Sequence, residues 1–430
     1  MAQPAFQRYA SLTPRQTTAI NIPRPPKAVA NMPTIVARRY DSLRPVEIAV
    51  KGRTIDSIIP ARQVALNSLA AETLPIVAPG FVDLQINGYR GREFNDQQLT
   101  IEKVREVAMD MDAGGCTSFL ATCTTDSQQV LANSFAVLAR AIDQLPEVAA
   151  RIPGFHCEGP WISPLDGPRG AHPIQHVRVP TLDEFKKFQD AARGKIKLLT
   201  ISPEYAEAIP VIREAARMGV LVAIGHTNAN SDQIAAAVDA GARLSTHLGN
   251  GAHPQIKRHP NYIWDQLAED RLVASLIVDG HHLPPAVVKA MIRAKSPQRC
   301  ILVSDVTSMG GMPPGTYATG LGDLEVLASG KLVVAGQRDI LAGASLLLDT
   351  CVAQVMRFAG VNLATAVEMA STQPAALIGV TNHRLDVGCP ANLVLFDEPT
   401  VGTTKLAVRG TMNSGDWCSS NAERKMQNAE

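Results

Sequence analysis

Between residues 81 and 304 the chain repeats one unit, a short uninterrupted apolar run followed by a longer stretch of helical periodicity. The runs are 81–86, 116–121, 154–157, 196–201, 221–225, 242–246, 273–278 and 300–304. Short continuous apolar runs suit parallel strands covered on both faces. Between them Ile101, Val104, Val107, Ala108 and Met111 recur at three- and four-residue intervals, as do Val211, Ile212, Ala215 and Ala216. Ser231 with Asp232 is expected to cap a helix running to Ala240, and Pro284–Pro285 to open one carrying Val287 and Met291. Eight such repeats predict an α/β fold, a (β/α)8 TIM barrel, which takes about 250 residues. The rival, an open doubly wound sheet, calls for a glycine-rich turn after its first strand. Here that strand runs into Asn87-Gly88-Tyr89, with no GxGxxG.

The flanks read differently. Residues 1–33, rich in Pro, Gln, Thr and Arg, are expected to be a flexible extension, without the apolar stretch of a secretory signal. Extended pieces at 33–38, 45–50 and 54–59, and again at 331–334 and 391–396, predict short strands from both ends of the chain. Segments 345–358 and 362–371 read as helices. The expected organisation is a barrel over 79–379 and a small β-sandwich-like domain built from 34–78 plus 380–430. A net charge of +1 without a basic tract gives no reason to expect nucleic acid or an anionic membrane as partner. No apolar run approaches the roughly 18 residues of a membrane span. Seven cysteines without a CxxC pair do not look like a disulfide framework, so a reducing, cytoplasmic setting is expected.

Polar residues stand at the ends of four of the runs. Glu158 follows the third, His226 the fifth, His247 the sixth and Asp305 the eighth. In a barrel the C-terminal ends of all strands open on one face, where active sites of this fold lie. A single strand-end His or Asp is ordinarily a hydrogen-bonded structural residue; four converging on one face form a set. One Glu and two His suit a catalytic divalent ion, with a position left for water. Such an ion lowers the pKa of its water towards about 7. Asp305 is then placed to take the water proton and return it to a leaving amine.

Several segments carry a resemblance. Pro79-Gly80-Phe81-Val82-Asp83 resembles the PGFxD opening of the first barrel strand in amidohydrolases. His156-Cys157-Glu158-Gly159-Pro160-Trp161 is similar to the HxEGPW segment of the N-acetylglucosamine-6-phosphate deacetylase family. Gly170-Ala171-His172-Pro173, Gly225-His226-Thr227, Thr246-His247-Leu248, Asp279-Gly280-His281-His282, Ser304-Asp305 and Leu341-Ala342-Gly343-Ala344-Ser345 match further motifs in that family's order. The resemblance spans about residues 79 to 397 and implies roles. Glu158, His226 and His247 would hold one divalent ion per subunit, zinc first, with iron, cobalt or manganese compatible. Asp305 would be the general acid/base, and His172 would help polarise the acetamide carbonyl. His282 and Ala171 would contact the substrate, while Asn250 and Gly251 would help hold its phosphate. Arg258, followed by His259-Pro260, would reach the phosphate of a neighbouring subunit's site, which implies a homodimer; a guanidinium fork suits phosphate oxygens. Without the resemblance, Lys257 and Arg258 are a solvated basic pair.

The departures are informative. Where many amidohydrolases carry HxH on the first strand, this chain has Gln85 and Asn87. Neutral amides replace imidazole poorly, which predicts a mononuclear site and argues against a binuclear cyclic amidase resembling dihydroorotase. After Leu248 the family usually has an aromatic followed by Asn-Ala-Met; this chain has Gly249-Asn250-Gly251-Ala252. His281 replaces a usually apolar residue, and the segment 307–315 is rich in Gly, Pro and Met. Loss of an aromatic and a Met is expected to remove apolar wall, which keeps open a deacylase of a different N-acyl amino sugar, possible even without a phosphate. A catalytically silent homologue is expected to lack a ligand or the acid/base, and all four are present. His176, His253, His259 and His383 are expected on loops, without an assigned role.

Overall fold

The computed structural model describes residues 34–62, 74–319 and 322–418. The expected extension at 1–33 and the last residues, 419–430, lie outside them. Eight parallel strands pair in chain order: Phe81–Ile86, Cys116–Thr124, Gly154–Glu158, Ile196–Ile201, Leu221–Ile224, Ala242–Ser245, Val273–Leu276 and Cys300–Leu302. The ring closes where the first strand meets the segment just past the eighth. Ile86 bridges Val306 in parallel, and the Asn87 N–H donates to Val306 O at 2.8 Å. A buried carboxyl reinforces this seam: both Asp83 oxygens lie 3.2 Å from the Ser304 N–H, and one accepts the Gln85 N–H at 3.1 Å.

The helices form as their apolar spacing dictates. Ile101–Asp110 buries Val104, Val107 and Ala108, and Ala208–Arg217 buries Val211, Ile212 and Ala215. The helix Ser231–Ala240 is capped one residue earlier than its sequence suggests. Asn230 accepts from the Gln233 N–H while Gln233 returns a bond to the Asn230 N–H, and Ser231 instead donates to Asp265. Asn satisfies a helix start as well as Ser does, so position alone decides. Pro285 opens its helix as expected.

The first and last described segments enter one seven-stranded sheet. Its order is Asp416–Cys418, Val408–Asn413, Leu393–Phe396, Ile76–Pro79, Thr34–Arg39, Pro45–Lys51 and Thr54–Pro60. The run at 331–334 does not join it. Leu332–Val334 is the third strand of a separate antiparallel meander with Gly315–Thr319, Gly322–Val326 and Gln337–Leu341. A three-residue apolar strand carries no signal for which edge it pairs with, and the meander is built from local hairpins. No described helix is long and apolar enough to cross a membrane.

The barrel lumen is layered. Val82, Leu84, Leu120, Leu198, Leu244 and Ile301 form an apolar plug with Ala375 and Ile378 beneath it. Two residues further along the second, fourth and sixth strand paths stand Thr122, Thr200 and Thr246, so the lining turns polar one layer below the catalytic face. Burial pushes the Asp83 carboxyl up to about 7, although the Ser304 and Gln85 N–H groups favour its ionised form. The native carboxyl therefore takes up its proton at higher pH than the unfolded one. Relative to Asp83→Asn, the wild type should gain stability as pH falls from about 7 towards about 4. Urea unfolding across that range checks this; a loss of stability would show that the seam favours the ionised carboxylate.

Candidate active site

Strict alternation along a strand would turn the residue after an inward one back towards the outer helices. His226, His247 and Asp305 escape this because each ends its strand in the left-handed region, with φ of 49°, 27° and 53°. Non-glycine residues rarely adopt that conformation, and the strain concentrates at functional positions. The turn folds all three side chains over the mouth of the barrel, beside Glu158 at the end of the third strand.

There Glu158 Oε1 lies 3.2 Å from His226 Nε2 and 3.1 Å from His247 Nε2, and the two nitrogens are 3.0 Å apart. All three residues are buried. His226 Nδ1 faces Pro168 O at 2.8 Å; a carbonyl only accepts, so Nδ1 carries the proton of the neutral ring and Nε2 presents a lone pair. Burial opposes ionisation of Glu158, but the two imidazole rings set against it prevail and hold it well below the usual carboxylate range. Three electron-pair donors thus converge, and the one proton two facing nitrogens can share does not satisfy them all. The donor set and its spacing fit a small divalent cation.

Asp305 stands beside this triangle. Gln85 Nε2 donates to both Glu158 Oε1 and Asp305 Oδ1 at 3.0 Å, and Asn87 Nδ2 donates to Asp305 Oδ1 at 2.7 Å. The amides that replace the HxH pair are therefore clamps on the two carboxylates. Burial, and then the charge of Glu158, push Asp305 up to about 6. His172 Nδ1 bonds Thr125 Oγ1 at 2.8 Å, and burial, with the nearby His226, drives this ring down to about 3, so it is neutral. His282 is fixed by Asp279, with Nδ1 2.8 Å from a carboxylate oxygen. Burial also drives His156, one layer below, down to about 4.

These groups open into one cavity of about 470 Å³. Glu158, His172, His226, His247, His282 and Asp305 line it, as do Ala171, Asn250 and Gly251. Arg258 does not: it is exposed on the loop after the sixth strand, whose backbone Asn261 ties by donating to Lys257 O and Arg258 O. At Gly249, the first of the four departing positions 249–252, neighbouring side chains already occupy the space. A side chain at Gly249 would stand 2.9 Å from Met291 and 3.1 Å from Leu283, which fill that space. His281 reaches the meander, with Nε2 3.2 Å from Ser329 O. Sequence reasoning missed Asn95, Gln97, Thr125, Asp126, Gln175 and His176, which form one side of the cavity, and Leu324 and Leu341 from the meander. They lie in loops, in the short 3-10 turn Ile174–His176 or in the meander, where no periodicity marks a facing direction. His383 is a buried loop residue bonded to Gly80 O at 2.7 Å.

Gly251 is fixed by contact as well as conformation. Its φ is 55°, and a Cβ there would lie 2.7 Å from His226 Nδ1. Gly251→Ala is expected to push the His226 ring off Pro168 and weaken divalent-ion binding by about ten- to a hundred-fold. Zinc titration calorimetry on the folded variant checks this; wild-type affinity would show that the loop yields instead.

The amidohydrolase family model matches residues 76–418. N-acetylglucosamine-6-phosphate deacetylase of Bos taurus is 32% identical over 79% of this chain and 83% of its own length. The Bacillus subtilis deacetylase of the same name is 30% identical over 74% of this chain and 80% of its own. A solved mutant of N-acetyl-D-glucosamine-6-phosphate deacetylase from Mycobacterium smegmatis, in complex with N-acetyl-D-glucosamine-6-phosphate, superposes with a TM-score of 0.77 at 29% identity. It covers 90% of this chain and 98% of that one. The strand-end site and these likenesses agree: the chain belongs to the amidohydrolase family, among its N-acetylglucosamine-6-phosphate deacetylases.

Proposed function

We propose that this chain hydrolyses the acetamide of N-acetylglucosamine 6-phosphate to glucosamine 6-phosphate and acetate. The observation that carries the reading is the convergence of Glu158, His226 and His247 beside a buried Asp305 in one cavity. The first three would hold a divalent ion, zinc first by donor type, with iron, cobalt or manganese compatible. When bound, the ion supplies Lewis acidity for the attacking water and the acetamide carbonyl. With Gln85 and Asn87 in place of imidazoles, one ion per subunit is the reading the donors support.

Asp305 takes the proton from the attacking water as the water oxygen bonds to the acetyl carbon. The same carboxyl then returns the proton to the nitrogen as the C–N bond breaks, releasing the amine and acetate. Both amide donors reach Asp305 Oδ1, which leaves the second oxygen for this transfer. His172, a neutral ring oriented by Thr125, is placed to hydrogen-bond the carbonyl oxygen. His282, held by Asp279 and lining the same cavity, would orient the sugar.

The phosphate is the remaining problem. No lysine or arginine is among the described residues lining the cavity, which instead carries the acidic Glu93 and Asp126. Asn250 and Gly251 offer neutral contacts only. This supports a cation brought from outside the chain, and we assign it to Arg258 of a neighbouring copy in a homodimer. The same acidic wall and the cavity size favour, as the second reading, a different or larger N-acyl amino sugar.

Acetate release from N-acetylglucosamine 6-phosphate and from N-acetylglucosamine, with protein of known metal content, separates the two. Turnover of the phosphorylated sugar, abolished by a chelator and restored by zinc, is expected. Asp305→Asn should lower kcat by about 10²- to 10⁴-fold with KM little changed. Arg258→Ala should chiefly raise KM for the phosphorylated sugar. No acetate from either compound would overturn the deacetylase reading, and an unchanged KM in Arg258→Ala would remove the phosphate clamp.

A further inference from the structure

One layer below the catalytic face, polar side chains from four barrel strands and a backbone N–H from a fifth form a continuous chain across the lumen. The Ile86 N–H donates to Thr122 Oγ1 at 3.2 Å, and Thr122 Oγ1 lies 3.3 Å from His156 Nδ1. His156 Nε2 lies 2.7 Å from Thr200 Oγ1, which lies 2.7 Å from Thr246 Oγ1. These contacts join the first, second, third, fourth and sixth strands. With the neutral ring protonated on Nε2, every bond can run in one direction, from Thr122 to Thr246.

The last contact passes over the fifth strand, and a glycine makes it possible. A Cβ at Gly225 would lie 2.7 Å from both Thr200 Cγ2 and Thr246 Cβ. Gly225 is not among the glycines with positive φ, so the backbone does not demand one here. What demands it is the meeting of the two threonines. Each of these residues is also tied to a site residue. Thr200 is the register partner of Glu158 and accepts the Gly159 N–H at 3.1 Å; Gly225 precedes His226, and Thr246 precedes His247. A buried polar layer is no gain in stability over an apolar one of the same shape. It does fix which strand end lies opposite which.

We infer that Thr122, His156, Thr200 and Thr246, with Gly225 as the gap that lets them meet, are positioning residues that set the spacing of the Glu158, His226 and His247 ligand atoms. The inference rests on reading that triad as a cation site. The pair Thr200→Val and Thr200→Ser tests it against plain packing, since Val keeps the shape and loses the hydroxyl while Ser does the reverse. Metal-stripped full-length protein is titrated with cobalt(II), read by visible absorption, alongside urea unfolding of the metal-free form. Thr200→Val is expected to weaken cobalt binding by about ten-fold or more and to shift its absorption band. Thr200→Ser should stay within about three-fold of wild type. If Thr200→Val does not fold, Gly225→Ala, with both hydroxyls kept, is expected to show the same ten-fold loss. Wild-type binding by the Val variant, or a Ser variant as weak as Val, would overturn the positioning role of this polar chain alone. A wild type that takes up no cobalt would instead overturn the cation-site reading beneath it.

Discussion

Everything at the barrel mouth follows from three electron pairs aimed at one point. Glu158 and two imidazoles, all three buried at the floor of the cavity, approach to 3.0–3.2 Å of one another. Such an arrangement is unfavourable for a protein left to itself, because burial strengthens repulsion between like groups and no set of protons satisfies all three. It is held by constraints that individually look unremarkable: left-handed strand ends at His226 and His247, a carbonyl behind His226, and a glycine lying against its ring. The cost of holding the ligands together is met in folding, so a cation meets a nearly finished site.

The first strand gives this site its character. Gln85 and Asn87 are poor ligands, yet they are not vestiges, because their N–H groups grip Glu158 and Asp305. Two neutral donors can do part of what a second cation would do, neutralising and orienting carboxylates, without adding charge. The seam between first and eighth strands serves the same end. Asp305 follows Ser304, whose backbone N–H is anchored on Asp83. The closure of the ring and the aim of the acid/base are therefore one piece of geometry.

Much of this was legible in the sequence, for physical reasons. Parallel strands buried on both faces write themselves as apolar runs, so all eight barrel strands could be placed. The residue types just beyond them were visible as a compatible set. What stayed hidden depends on contacts between distant segments. Gln85 and Asn87 spoke only about metal count, since nothing in one strand shows whose carboxylate its amides will meet. Gly249 read as lost wall, whereas Met291 and Leu283, from a loop and helix some forty residues away, occupy the space. The run at 331–334 was recognisable as a strand but silent about its sheet. His176, from a single 3-10 turn, and Asp126, from a loop, line the cavity in directions that no periodicity fixes.

The meander at 315–341 lies between the eighth strand and the helix Leu348–Ala359, and contributes Leu324 and Leu341 to the cavity. It packs on Met309 and Ala342, accepts a hydrogen bond from Ser345 at Gly330 O and is reached by His281 at Ser329 O. The chamber thus has a floor built on the barrel strands and a roof built on the meander. Changes in the length or sequence of the roof can redraw the outline of the acceptable ligand while every bond that aims the floor is left untouched. Evolution within this architecture can explore new acyl sugars at one address and keep hydrolysis at another.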